Sequence, residues 1–187
     1  RSVKELIALA RARPGEINYA SGMTAGASHL AAELFKSMAH VNIVRIPYKE
    51  NARALIDLVG GHTHLMFSTA VLSNPHTRSG RLRALGIASA QPSAVAPELP
   101  TIAASGLPGY EAASTIGAFA PAKTPLAIVK LLNQEMVKAL NIGETKKLFL
   151  DSGSEVVANT PEQFSADMKS DMARMGKVIK DAGIRAD

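Results

Sequence analysis

Short apolar runs alternate with amphipathic stretches through the first 89 residues, and that alternation leaves few folds open. INYA (17–20), VNIVRIPY (41–48), HTHLMFS (62–68) and RLRALGIAS (81–89) read as strands. Between the first two, Leu30, Leu34 and Met38 recur at helical spacing from about Gly26 onward. ARALIDLVGG (52–61) is a helix closed by Gly60-Gly61, a pair suited to the positive φ of a C-terminal cap. A broken helix with Pro75 inside it follows, and Gly80 ends it. Strands joined through a helix run parallel, so the pattern βαβαβαβ predicts an α/β lobe with helices flanking a parallel sheet. Upstream, Val3–Arg13 forms a helix opened by a Ser2/Glu5 capping box and stopped by Pro14-Gly15.

After Ser89 the pattern changes. A Pro- and Gly-rich connection leads to a strand through 113–120 and then to three helices. Residues 125–141 place Ile128, Leu131, Leu132, Met136 and Leu140 on one face, and residues 143–152 make a shorter helix. The last helix starts at Thr160, where Thr-Pro-Glu-Gln supplies a cap with Pro at the first position. Its stripe of Phe164, Met168, Met172, Met175 and Ile179 is core or interface rather than a cofactor box. These helices have hardly any strand to lie on. They pack on the far face of the same sheet, or they belong to a second domain whose strands lie elsewhere.

Composition narrows the function classes. The chain has 187 residues and 47% apolar content, enough for a core, but only 4% aromatics and no Trp, which predicts a core of Ala, Leu, Ile, Val and Met. The net charge of +5 is scattered among acids with no basic run, so it argues against a nucleic-acid interface and for mild attraction of small anions. Without cysteine there are no disulfides, thiol catalysis or thiolate metal sites. No apolar run approaches the ~20 residues of a membrane span, and nothing resembles a signal peptide. The opening RSVKELIALARARPG lacks Met, which predicts a fragment or a processed form.

The junction NYASGMTAGASHLAAELF is the leading candidate site. Ligands of parallel sheets gather at the carboxyl ends of strands, and a helix N-terminus there presents free N–H donors and a positive pole. Ser21, Thr24 and Ser28 add hydroxyls, and Gly22 and Gly26 permit close backbone approach around Ala25. The alternative is an ordinary strand–helix turn whose hydroxyls bond only their own backbone. Tyr48 and Lys49 stand at the next strand end, with Lys49 a candidate charge for a carboxylate or, equally, an exposed lysine. His62 and His64 share a strand face, but no third ligand is near in sequence, so no metal is assigned. Ser21 and His29 suggest a nucleophile and base, yet no acid stands ready to orient the imidazole, and a structural histidine donating to a backbone carbonyl is the competing reading. No catalytic residue and no cofactor are assigned.

Across the whole length the order SVKELIALARARPGEINYAS, SHLAAELFKSMA, VRIPYK, ALIDLVGGHTHLMF, RSGRLRALGIAS, LPTIAASGLPGYE, FAPAKTP and NTPEQF resembles the tripartite tricarboxylate receptors, also called Bug-type extracytoplasmic solute receptors. The resemblance implies a periplasmic binding protein of two α/β lobes that captures a small carboxylate, with membrane permease subunits as partners and no enzymatic activity. It assigns residues 1–113 to lobe two and 114–187 to the returning segment of lobe one, a crossover strand and C-terminal helices of an incomplete lobe. The implied ligand residues are Ser21, Gly22, Thr24, Ala25, Gly26, Ser28, Tyr48, Lys49, Ser68, Thr69, Ser114 and Thr115.

Several positions depart from the family pattern. Met23, Ala25 and Gly26 stand where glycine, glycine and a hydroxyl residue are typical. Glu50 replaces a glycine, Ser68 an aspartate and Thr115 a tryptophan. Two functions therefore compete. One is a carboxylate receptor. The other is a truncated or decayed paralogue without ligand, acting as an oligomerising or interaction module, in which bare tail helices seek burial by homo-oligomerisation or domain swapping.

Overall fold

The computed structural model describes residues 2–185. Its centre is an all-parallel sheet of order β2-β1-β3, with β1 (Asn18–Ser21), β2 (Val44–Pro47) and β3 (Leu65–Met66). Helix α1 (Val3–Ala12) precedes the sheet; α2 (Ala27–Ala39) links β1 to β2, and α3 (Asn51–Val59) links β2 to β3. The chain steps to one side of β1 and then back across it, so winding reverses between β1 and β3. A crevice at the strands' carboxyl ends belongs at such a reversal. Register places Ser21 opposite Pro47 and Ala20 opposite Met66, so the three strand exits share one end of the sheet. Pro47 closes β2, and the last rung is Tyr48 N–H donating to Ser21 O at 2.9 Å.

Ser2 Oγ accepts from Glu5 N at 3.2 Å and starts α1, which buries Val3, Ile7 and Ala10. Helix α2 buries Ala31, Ala32, Leu34, Phe35 and Ala39. Four of the eight aromatics, Tyr19, Phe35, Phe67 and Tyr110, lie in or against the core, contrary to the interior of Ala, Leu, Ile, Val and Met that composition suggested. Tyr19, Tyr110 and Phe35 are its largest fully buried side chains. Phe35 lies 5.6 Å from the Phe67 ring and 6.1 Å, edge-on, from Tyr110, whose hydroxyl donates to Ala31 O. Edge-on aromatic contacts add to simple burial.

Two expected strands are absent. In 81–89 only Ile87 is bridged, to Thr101, with Ile87 N donating to Pro100 O and Ile102 N to Ile87 O. The next bond, Ala112 N to Ala88 O, goes to a different segment, so no continuous ladder can form. Residues 113–120 form no strand, and Ile116 and Phe119 are 92% and 74% exposed. The third strand shrinks from 62–68 to Leu65–Met66. The helices fare better: α4 (Ala70–Arg78) contains Pro75, and α5 (Leu126–Leu140), α6 (Gly143–Asp151) and α7 (Pro161–Asp181) occupy the expected tail. The Thr160/Gln163 capping box of α7 is complete.

The tail divides in two. Helix α7 packs on α2 and delivers Val178 into the core, with Met175 against it. Met172, expected in that stripe, instead faces out. Helices α5 and α6 bury no side chain among the described residues, and Leu126, Ile128, Leu131, Leu132, Ile142 and Leu148 are exposed. Beside the packing of α7 on α2, further ties link the tail to the rest: Glu155 accepts from Ser93 Oγ and Ala94 N, Arg174 pairs with Glu111, and Gly153 lies against the first turn of α4.

Candidate functional site

The loop from β1 to α2 is folded around its own polar groups. Gly22 N donates to Ser28 Oγ at 3.1 Å and to Asn51 Oδ1 at 3.0 Å, and Ser28 Oγ in turn donates to Asn51 Oδ1 at 3.0 Å. A side chain at Gly22 would put its Cβ 2.6 Å from Asn51 Oδ1, which is why this hub needs glycine. Gly26 N donates to Met23 O at 3.0 Å, closing a tight turn. Ala25 holds φ at +59°, a left-handed conformation that favours glycine. Ala25 N donates to His29 Nδ1 at 3.1 Å. The amides of Gly22, Ala25 and Gly26 are therefore engaged inside the loop.

What remains without an internal partner is the start of α2, where Ser28 and His29 are themselves buried. Gly26 is the N-cap of α2 and offers no side chain to cap it. Among the described residues, the amides of Ala27, Ser28 and His29 have no hydrogen-bond partner, and they are donors of the kind that anions occupy. Met23, in the loop just ahead of them, is 70% exposed.

Sequence reasoning missed the residue that dominates the electrostatics. Arg45, opposite Tyr19 on β2, lies alongside the loop. Its Nε donates to Ser21 Oγ at 2.7 Å, Nη2 to Gly22 O at 2.9 Å and Nη1 to Thr24 Oγ1 at 3.3 Å. Its signal was legible: an arginine between Val44 and Ile46 in an otherwise apolar strand needs polar partners. Asn51, in the first turn of α3, was missed for a different reason, since only tertiary pairing of α3 with the β1 exit reveals it.

The other strand exits contribute unequally. Tyr48 Oη donates to Asp57 Oδ2 at 3.0 Å, so its hydroxyl serves α3 rather than the crevice. Lys49 is exposed and, among the described residues, has no acidic partner. Ser68 Oγ donates to Thr69 O, and Thr69 is the N-cap of α4 without a side-chain bond to that helix. Ser114 and Thr115 stay exposed and make no hydrogen bond to the junction. At the opposite end of the sheet, His64 Nδ1 accepts from Asn18 N, so one imidazole of the expected pair serves the backbone.

The Ser21/His29 pairing does not form. Ser21 Oγ is held by Arg45, and His29 Nδ1 accepts a backbone N–H rather than donating to a carbonyl. An acid does stand near, contrary to the sequence reading: Glu33 Oε1 lies 3.9 Å from His29 Nε2, four residues along α2. That oxygen already accepts from Tyr19 Oη and from Lys36 Nζ at 2.8 Å. The carboxylate is a buried structural anchor.

The family described as the tripartite tricarboxylate transporter family receptor matches residues 1–184. The chain belongs to this receptor family. It is 33% identical to protein BugT of Bordetella pertussis, aligning over 98% of itself and 56% of that protein. A solved Rhodopseudomonas palustris structure with adipate superposes with a TM-score of 0.84 at 37% identity, covering 98% of this chain and 61% of that one. MatC from the same organism, with bound malate, gives a TM-score of 0.73 at 26% identity, covering 96% and 62%. This receptor-family chain thus spans little more than half the length of BugT. No helix among its described residues is long and apolar enough to cross a membrane.

In this receptor-family chain the loop should be sensitive to acid. Burial first, and then the Arg45 charge, hold the His29 pKa below its ordinary value; Glu33 opposes this and Lys36 reinforces it. The neutral imidazole is the form that accepts from Ala25 N. Unfolded chain takes up the proton near pH 6.5, before the folded chain does. Stability from His29 is therefore complete above about pH 6.5 and falls as pH drops below it. His29→Asn, which keeps an acceptor near Nδ1, should flatten the decline of Tm between pH 6.5 and 5 relative to the parent. An equally steep decline would remove His29 as the cause.

Proposed function

We propose that this chain is the ligand-binding part of a periplasmic receptor that captures a small di- or tricarboxylate for a tripartite tricarboxylate transporter. The carrying observation is the β1–α2 junction: three uncapped amides of α2 beside the Arg45 guanidinium, at the carboxyl end of the central strand. Membership of the receptor family supports the reading, as do neighbours solved with adipate and malate, both small dicarboxylates. Ser21, Gly22 and Ser28 shape the seat, Thr24 borders it, and Lys49, Ser68 and Thr69 stand at the neighbouring exits. Residues 1–113 would form one lobe and 114–187 the return into the other, so Ser114 and Thr115 would meet ligand only when the lobes close. Membrane permease subunits would be the partners.

The exposed apolar side chains of α5 and α6 favour a second reading, an oligomerising module without ligand. Calorimetric titration with adipate, malate and citrate, with the oligomeric state followed by light scattering, separates the two. Saturable heat with at least one acid supports the receptor; no heat across the panel together with a stable oligomer supports the module.

A further inference from the structure

Among the described residues, Arg45 is unlike the other cations that bind side chains. Lys36, Arg53, Lys138, Lys147 and Arg174 each pair with a carboxylate. Arg45 binds only neutral oxygens: two hydroxyls and one carbonyl. It is also placed against the helix dipole. Acids stabilise a helix N-terminus and cations a C-terminus. Arg11 follows that rule by donating to Ala39 O at the end of α2, whereas Arg45 holds Thr24 just ahead of the α2 start. Two positive poles thus flank one loop, the β1–α2 junction. The carboxylate carried by α2 itself, Glu33, is already engaged by Tyr19 and Lys36. Arginine carries five N–H donors, and Arg45 uses three, leaving two for a further acceptor.

We propose that Arg45 is the specificity-determining residue of this seat: it fixes the shape of the loop through Ser21, Gly22 and Thr24 and supplies an uncompensated charge that selects a fully ionised dicarboxylate over its monoanionic analogue. The proposal rests on the receptor reading above. It requires that one carboxylate bind at the amides of Ala27–His29 and that the other reach the two remaining N–H donors of the guanidinium, a contact the half-ester lacks. Charge at this place makes affinity depend on salt, because screening weakens an attraction between partly exposed groups. Shape and charge are separable: lysine keeps the charge and loses the planar fork that holds three oxygens, and glutamine loses the charge.

The test titrates the parent, Arg45→Lys and Arg45→Gln with adipate and with adipate monomethyl ester, at low and at high salt. The parent should prefer adipate by tenfold or more. Arg45→Gln should lose at least tenfold for adipate and little for the half-ester, with a shallower salt dependence. Arg45→Lys should weaken both ligands while keeping the salt dependence. A purely structural role would weaken both ligands equally in Arg45→Gln and leave the salt dependence intact, which overturns the proposal. If Arg45→Gln does not fold, a flat salt response in Arg45→Lys with unchanged preference overturns it equally. A parent that binds neither probe, nor malate or citrate, overturns the receptor reading itself; a parent that binds while Arg45→Gln matches it overturns only the role of Arg45.

Discussion

Phe35→Ala should cost about 3–5 kcal/mol of folding stability, the range for removing a large buried aromatic side chain. Phe35 is 1% exposed and touches two further rings, so its removal opens a cavity and ends both ring contacts. The neighbours cannot collapse into the gap, because Tyr110 is tied by its hydroxyl to Ala31 O and Phe67 follows β3 directly. Domains of this kind hold roughly 5–15 kcal/mol in total, so a large share of the reserve would go. Urea unfolding of the parent and variant measures this as a fall in midpoint at constant slope. A loss below about 1 kcal/mol would mean that the aromatic trio is not the organising centre of the fold.

Gly153→Ala should undock the end of α6 and not unfold the sheet. Gly153 follows α6 with φ +79°, and a Cβ there would lie 2.8 Å from Val71 N and 3.2 Å from Ala70 Cβ. Left-handed backbone costs alanine about 1–2 kcal/mol, and overpacking against fixed backbone adds about 1–3 kcal/mol. The contact sits on the first turn of α4, directly after Ser68 and Thr69, so it couples the tail to the third strand exit. Amide exchange should rise by tenfold or more in α6 and at Ser93–Ala94, where Glu155 is anchored, while amides of β1 and α2 keep their protection. Unchanged exchange in α6 would show that this close approach does not hold the tail.

Helices were legible because their signals are local. The stripe of α2, the capping box of α7 and the glycine pair after α3 are each written within one or two turns. The sheet was legible only in part. NYAS and VRIP form strands because each finds a parallel partner, whereas RLRALGIAS, also partly apolar, has no second segment that stays beside it. A strand is a property of a pair, and one sequence displays only half of it. The candidate site shows the same division. Ser21, Gly22 and Ser28 stand where the junction placed them, but Gly22 is consumed by Asn51, which lies 29 residues away. Arg45 joined the site through the parallel register of β1 and β2, and Glu33 through its i+4 spacing from His29. The exposed faces of α5 and α6 follow the 3.6-residue period as well as any buried helix does, since periodicity marks the side of a helix suited to burial, whether or not a cover is present.

The central claim is that the uncapped first turn of α2, beside Arg45, seats a carboxylate. The most direct measurement is backbone-amide NMR of the protein during titration with adipate, malate and citrate. The account predicts saturable shifts concentrated at Ala27, Ser28 and His29, with smaller shifts at Gly22 and Thr24 and none along α5. Saturable shifts that avoid the first turn of α2, or no saturable shift with any of the three acids, would contradict it.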